Sequence, residues 1–302
     1  MSLLPVRTKN LIKKVIDLNF AIIPNPTKEG APLCTRRVAD ILLKNGGVPM
    51  LLEEYRRYIP DSGARFFQSV DALITACDIV ITVGGDGTII SVAKYAAAAE
   101  KPLLGINLGR LGFVAGLEPN QLSELSRLFT GDYQCEDRMM LKATVIKGSE
   151  EKVYYALNDV TVSRGSLSRI IDLTVSLNDE EISEYRADGL LFSTPTGSTA
   201  YSLSAGGPVI QPHMQCILLT PVCPHSLFSR SVLFCDQSRL TVRVEDQDNA
   251  EVYLTVDGQD SEKISSGDRI RIEKADISAK LIFLHDKSFY RVLSEKLSNR
   301  IV

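Results

Sequence analysis

The run Asp78-Ile79-Val80-Ile81-Thr82-Val83 passes directly into Gly84-Gly85-Asp86-Gly87-Thr88, and this junction constrains the fold more than any other stretch of the chain. The β-branched run predicts a buried strand, and Thr88 through Ala99 predicts a helix. Gly84, Gly85 and Gly87 admit positive φ, and the Thr88 hydroxyl is placed to cap the helix. The turn is therefore expected to be tight and rich in N–H donors. A strand-to-helix turn of that kind suits a phosphate group.

The neighbouring segments repeat the pattern. Phe20-Ala21-Ile22-Ile23 predicts a buried strand ended by Pro24-Asn25-Pro26. A helix follows, with Val38, Ile41 and Leu42 on one face and a stop at Asn45-Gly46-Gly47. Strands are expected near Met50 to Leu52 and at Leu103-Leu104-Gly105-Ile106, the latter leading into a second glycine-rich loop, Asn107-Leu108-Gly109-Arg110-Leu111-Gly112-Phe113. Such alternation is the signature of β-α-β units around a parallel sheet. From residue 139 to 273 the pattern turns to β-rich runs, with hairpin signals at Leu177-Asn178-Asp179 and Val256-Asp257-Gly258-Gln259. The expected fold is α/β plus all-β. A Rossmann-like domain over residues 1–136 carries the glycine turn, and a β-sandwich-like domain spans 137–274. The segment 275–302 returns to the first domain, with Ser294 to Val302 helical or frayed, and the active site lies in the cleft between the two.

Composition narrows the partners. The 302 residues are 44% hydrophobic, enough for a large core, and 34 basic against 37 acidic side chains give a net charge of -3. That balance excludes the basic excess that binding a nucleic-acid backbone requires. Met1 to Asn10 holds no apolar leader core, and no apolar run approaches the roughly 20 residues that span a bilayer, so a cytoplasmic protein without a membrane partner is expected. Six scattered cysteines predict reduced, mostly buried thiols and no disulfide. His213, Cys216, Cys223 and His225 are close in sequence, but their irregular spacing among prolines reads as structural rather than as a zinc site.

Asp86 is the unusual member of the glycine turn. A carboxylate beside bound phosphate is repelled, so it requires a metal ion or a task such as accepting a proton from a nucleophilic hydroxyl. The alternative is a plain Asp-Gly turn. The turn is neither a lysine-bearing P-loop nor a Gly-x-Gly-x-x-Gly fingerprint, and without that lysine, metal and backbone amides are expected to carry the charge stabilisation. Two further stretches hold polar groups suited to ribose and phosphate. Asn158-Asp159 follows the strand Val153 to Leu157. The run from Asp188-Gly189 to Gly206-Gly207-Pro208 contains Thr194-Pro195-Thr196-Gly197-Ser198-Thr199-Ala200-Tyr201, which read singly is a Ser/Thr-rich connection and read together is a binding segment.

These segments together resemble the NAD kinase family: the Gly-Gly-Asp-Gly-Thr turn at 84–88, the loop at 107–113, the pair Asn158-Asp159 and the segment 188–208. The resemblance covers residues 19–290, and the glycine turn alone is shared with lipid kinases and phosphofructokinases. It implies transfer of a phosphoryl group from ATP, or polyphosphate, to the 2'-hydroxyl of the adenosine ribose of NAD, with Mg2+ accompanying the donor near Gly84, Gly85, Gly87 and Thr88. By similarity Asp86 is the base, with Gly87 near the ribose. Asn158 and Asp159 hold ribose hydroxyls, and Asp188 contacts the substrate. Thr199, Ala200, Tyr201 and Ser204 line the adenine and nicotinamide subsites, and Arg186 reaches a substrate on a neighbouring subunit of a homodimer or homotetramer. The second member of the Asn-Glu/Asp pair is here the shorter acid. A lipid kinase of the same superfamily would instead show an apolar acyl pocket, and a non-catalytic NADP sensor would lack the base.

Overall fold

The computed structural model describes residues 18–59, 63–109, 112–166, 169–226, 229–245, 251–285 and 288–298. In the first half, β1 (Asn19–Pro24), α1 (Ala31–Lys44), β2 (Val48–Leu52), β3 (Arg65–Phe67), α2 (Val70–Ala76), β4 (Ile79–Gly84), α3 (Asp86–Ala98) and β5 (Leu103–Asn107) follow in order. Pro32 lies in the first turn of α1, and Gly46 at φ 82° stands just past its end, at the stop that Asn45-Gly46-Gly47 predicts. The five strands pair in parallel in the order β5-β4-β1-β2-β3. Successive side chains feed opposite faces. Phe20 and Ile22 pack with Val38 and Leu42 of α1, and Ala21 and Ile23 pack with Leu73 of α2 and Val92 of α3.

The rest of the chain is mostly strand: β6 (Gln134–Lys147), β7 (Glu150–Ala156), β8 (Asp159–Arg164), β9 (Ile171–Leu177), β10 (Glu180–Ala187), β11 (Gly189–Ser193), the single turn α4 (Tyr201–Ser204), β12 (Cys216–Val222), β13 (Val232–Cys235), β14 (Leu240–Val244), β15 (Val252–Val256), β16 (Asp260–Ile264), β17 (Arg269–Phe283) and α5 (Phe289–Ser298). Both hairpin turns form, with Asn178 at φ 51° and Asp179 at φ 74° in one and Asp257 at φ 49° and Gly258 at φ 67° in the other. A sheet ordered β13-β12-β11-β8-β15-β16 packs Val162, Leu190, Phe192 and Leu254 against Leu141, Leu173, Val242 and Ile270 of a second sheet, which gives the sandwich. That second sheet is continuous with the parallel sheet of the first half, because Leu281 of β17 pairs with Leu103 of β5 while β6 and β14 run antiparallel to β17. The α/β and β-rich halves thus share one sheet of eleven strands, a connection the sequence does not reveal.

Two details depart from expectation. Cys34, Cys77 and Cys216 are buried, but Cys135, Cys223 and Cys235 are exposed, because each of these lies on a strand end or loop away from the cores. The last helix starts at Phe289 rather than Ser294, and residues 299–302, like the segment 1–10 in which no leader core was expected, lie outside the described residues. Among the described residues no helix is long and apolar enough to cross a membrane.

The strand order also locates the site. β1 leads through α1 to β2 on one side, whereas β4, on the other side of β1, leads through α3 to β5. Open α/β sheets bind ligands where the order reverses, outside the C-terminal ends of the strands. Here those ends carry Asn25 and Gly84-Gly85, and the Asn25 N–H donates to the Val83 carbonyl at 2.8 Å.

Candidate active site

Gly84 closes β4 and Gly85 precedes α3 with φ -115°, so the helix begins at Asp86, two residues before the predicted Thr88. Two expectations are corrected. Gly84, Gly85 and Gly87 all keep negative or extended φ, so their role is space rather than left-handed backbone. A Cβ on Gly84 would sit 2.3 Å from Thr88 Oγ1, whereas Gly85 and Gly87 face open space through which a ligand can approach. Thr88 is not the cap either: it lies buried in the first turn, and its hydroxyl accepts a hydrogen bond from Asn25 Nδ2 at 3.3 Å.

Asp86 occupies that first turn, where the helix dipole favours a carboxylate. Its Oδ2 accepts the Phe113 N–H at 3.0 Å and stands 3.8 Å from Lys296 Nζ, while its Oδ1 is buried without a hydrogen-bond partner. The second glycine-rich loop makes this possible. The Leu108 N–H donates to the Gly84 carbonyl at 2.5 Å, and Asn107 Oδ1 accepts from the Gly109 N–H at 3.1 Å, which ties the loop against the turn. Gly112 lies directly beneath the carboxylate, and a Cβ there would come within 2.1 Å of Asp86 Oδ1. The sequence marks this loop as glycine-rich without revealing that it cradles Asp86. Arg110 and Leu111 lie outside the described residues.

Asn158-Asp159 joins β7 to β8, and its backbone is organised by a residue that sequence reading takes only as a turn. The Asp257 carboxylate accepts the N–H groups of Leu157 at 2.8 Å, Asn158 at 2.8 Å and Asp159 at 3.0 Å. Asp159 is buried, and burial together with the Asp257 charge pushes its carboxyl up to about 7. Burial also raises Asp257, against the pull of its three N–H donors. The same hairpin reaches the glycine turn: Lys94 of α3 pairs with Asp260 at 2.5 Å, and Gln259 Nε2 makes a long contact of 3.5 Å with the Gly87 carbonyl.

The hydroxyl-rich run closes on Asn158. The Thr194 N–H donates to the Asn158 carbonyl at 2.9 Å, the Thr194 hydroxyl donates to the Leu157 carbonyl at 2.6 Å, and Gly197 packs so closely that a Cβ would meet the Asn158 carbonyl oxygen at 2.0 Å. Thr199 and Ala200 follow half-buried, and Tyr201 and Ser204 are exposed on α4. Turn, Asn-Asp pair and hydroxyl run are thus gathered around the Asp257 hairpin. Arg186 and Asp188 are not part of that cluster. β11 runs from Gly189, paired with Ser163, to Ser193, paired with Asp159, so Asp188 sits about 15 Å from the pair at the other strand end. There its carboxylate is held by Arg164 at 2.6 Å, and the exposed Arg186 stands 4.0 Å from Asp172. Of the remaining candidates, Cys216 is buried while His213 is exposed and 3.8 Å from Glu136, and among the described residues no three His, Cys, Asp or Glu side chains are grouped for a metal ion. A cavity of about 610 Å3 bearing Arg239, Arg243, Arg269 and Arg271 lies on the outer face of the β-rich half and contains none of these site residues.

The chemistry that such parts support is phosphoryl transfer to a hydroxyl, which asks a protein for positioning, a proton acceptor and charge neutralisation more than for a covalent intermediate. Comparison with known proteins narrows this class. A family model for the ATP-NAD kinase N-terminal domain matches residues 20–133, and one for the ATP-NAD kinase C-terminal domain matches residues 157–284. The NAD kinase of Natranaerobius thermophilus is 39% identical over 282 residues, covering 93% of this chain and 98% of that protein. The NAD kinase of Moorella thermoacetica is 44% identical over 225 residues, 74% of this chain and 72% of that one. The chain belongs to the NAD kinase family. Its fold is also that of yeast NADH kinase complexed with NADH (TM-score 0.86, 23% identity, 94% of this chain and 88% of that one) and of an Archaeoglobus fulgidus NAD kinase in complex with ATP (TM-score 0.73, 24% identity, 93% and 99%).

Proposed function

We propose that this chain is an NAD kinase that transfers the terminal phosphoryl group of ATP to the 2'-hydroxyl of the adenosine ribose of NAD, giving NADP. The observation that carries the reading is the Asp86 carboxylate, held at the start of α3 with one oxygen buried and unpartnered, beside a glycine turn open to solvent. Asp86 takes the proton of the attacking hydroxyl, and the backbone from Gly84 to Thr88 receives the donor phosphates. Asn158 and Asp159 hold ribose hydroxyls, and Thr199, Ala200, Tyr201 and Ser204 line the adenine and nicotinamide subsites. Asp188, and Arg186 from a neighbouring subunit of a homodimer or homotetramer, contact the far end of the dinucleotide. The cleft lies between residues 1–136, completed by 275–302, and residues 137–274. A lipid kinase is not favoured, since both halves match NAD kinase domains, and a sensor would have no use for Asp86.

Mg2+ fits this site as a companion of the donor rather than as a resident ion. Such an ion is usually held by one or two carboxylates plus substrate phosphates, and among the described residues no three His, Cys, Asp or Glu side chains are grouped to hold it without those phosphates. When bound it would neutralise charge on the donor phosphates. Polyphosphate is the second donor that the same backbone amides would accept. The three exposed free thiols support a cytoplasmic location, where cysteines stay reduced. The test is product identity: purified protein with NAD, Mg2+ and either ATP or polyphosphate should yield a dinucleotide that an NADP-specific dehydrogenase reduces. A product phosphorylated elsewhere, or no product with either donor, would sink the proposal.

A further inference from the structure

The Gly84–Thr88 turn carries no lysine, yet phosphoryl transfer spreads negative charge over oxygens that a cation normally meets. The far end of the chain brings one. Phe289, Val292 and Lys296 are spaced i, i+3, i+7 and share a face of α5. The Phe289 ring lies 6.0 Å from the Phe113 ring and Val292 is buried, so this face is anchored on the second glycine-rich loop. Lys296 follows onto the same ring, with Nζ 4.2 Å from its centroid and 3.8 Å from Asp86 Oδ2. Phe113 therefore acts twice, its N–H holding the carboxylate and its ring face holding the ammonium.

Resting on the reading of Asp86 as the base, we infer that Lys296 is a catalytic residue of the transfer, its ammonium bridging Asp86 and the phosphoryl group that moves. A base about 3 Å from the attacking oxygen, with that oxygen about 3–3.5 Å from phosphorus, places the phosphoryl oxygens within reach of an ammonium beside the base. In the step, the hydroxyl proton passes to Asp86, the new O–P bond forms at the ribose 2'-oxygen, and the bond from phosphorus to the bridging oxygen breaks with its electron pair leaving on ADP. As Asp86 becomes neutral its hold on Lys296 weakens, and the ammonium's charge goes to the new phosphate ester. The glycine turn thus obtains its lysine from α5 rather than from its own sequence.

The test compares Lys296→Gln, Lys296→Arg and Lys296→Ala with wild type for kcat, the KM of NAD and thermal midpoint. Lys296→Gln should lose about 100-fold in kcat with unchanged NAD KM and midpoint, the cost typical of removing one donor to a charged transition state. Lys296→Arg should recover part of that loss, and added ethylammonium should partly restore Lys296→Ala, which a lysine needed only to dock α5 would not permit. Near-normal kcat in Lys296→Gln overturns the inference and leaves Asp86 as base. A loss tracking a lowered midpoint, relieved neither by arginine nor by ethylammonium, also overturns it and assigns Lys296 to packing. No NADP from wild type would instead strike the reading of the whole site, and this inference with it.

Discussion

At the residue scale the site depends on carboxylates in three different surroundings. Asp86 has a helix start, one backbone N–H and a lysine beside it, Asp257 has three N–H donors, and Asp159 has burial and a like charge. The Asp159 carboxyl, pushed up to about 7, has a consequence for stability. Its folded pKa lies above the unfolded value, so between the ordinary carboxylate range and about pH 7 the folded protein binds the extra proton, and stability falls as pH rises through that window. Asp159→Asn removes the charge that the fold resists. The ligand-free variant should therefore be more stable than wild type at pH 8, by up to about 4 kcal/mol, and the difference should shrink towards pH 4. Denaturant unfolding at the two pH values measures it, and a difference independent of pH would contradict the account. On the proposed reading, ribose binding is the reason for keeping so costly a group, since an ionised carboxylate accepts hydrogen bonds from two neighbouring hydroxyls.

At the element scale the second glycine-rich loop is what aims the Asp86 carboxylate. Gly112→Ala would place a methyl group against Asp86 Oδ1, the free end of a side chain that can turn away, so the fold should survive while the carboxylate shifts by about 1 Å. A displacement of that size costs roughly 100-fold in rate, and kcat should fall accordingly with a nearly unchanged thermal midpoint. Unaltered kcat would mean that the loop does not position Asp86. Elements with strong local signals were legible in the sequence: β4 from its β-branched run, both hairpins from Asn-Asp and Asp-Gly, and the glycine turn from its composition. The start of α3 was displaced because Asp86 and Gly87 read as loop while standing in the first helical turn. The seven residues of α2 are too few to show a period, and the tight helical stretch Pro119–Phe129 buries Leu122, Leu125 and Leu128 at a spacing of three, which an α-helical pattern does not match. Asp257 is legible only as a turn residue and Lys296 carries no local signal, because their importance lies in contacts with residues about 100 and 210 positions away in the chain.

At the scale of the whole molecule, β17 makes two halves of different architecture into one sheet, and the site sits where the first half's turn, the second half's Asp257 hairpin and the last helix meet. Shared strand pairing should couple their unfolding. With no tryptophan in the chain, near-UV tyrosine signals from both halves and far-UV dichroism should report one coincident thermal transition, and two separated transitions would show that the shared strand does not couple the halves. The division of labour across that seam rests on Asp86, and the most direct test is Asp86→Asn assayed for NADP formation beside a binding measurement with NAD alone. The account predicts that the variant folds and binds NAD as wild type does while turnover falls by about 100- to 10,000-fold, the usual contribution of a positioned base; turnover near the wild-type rate would contradict it.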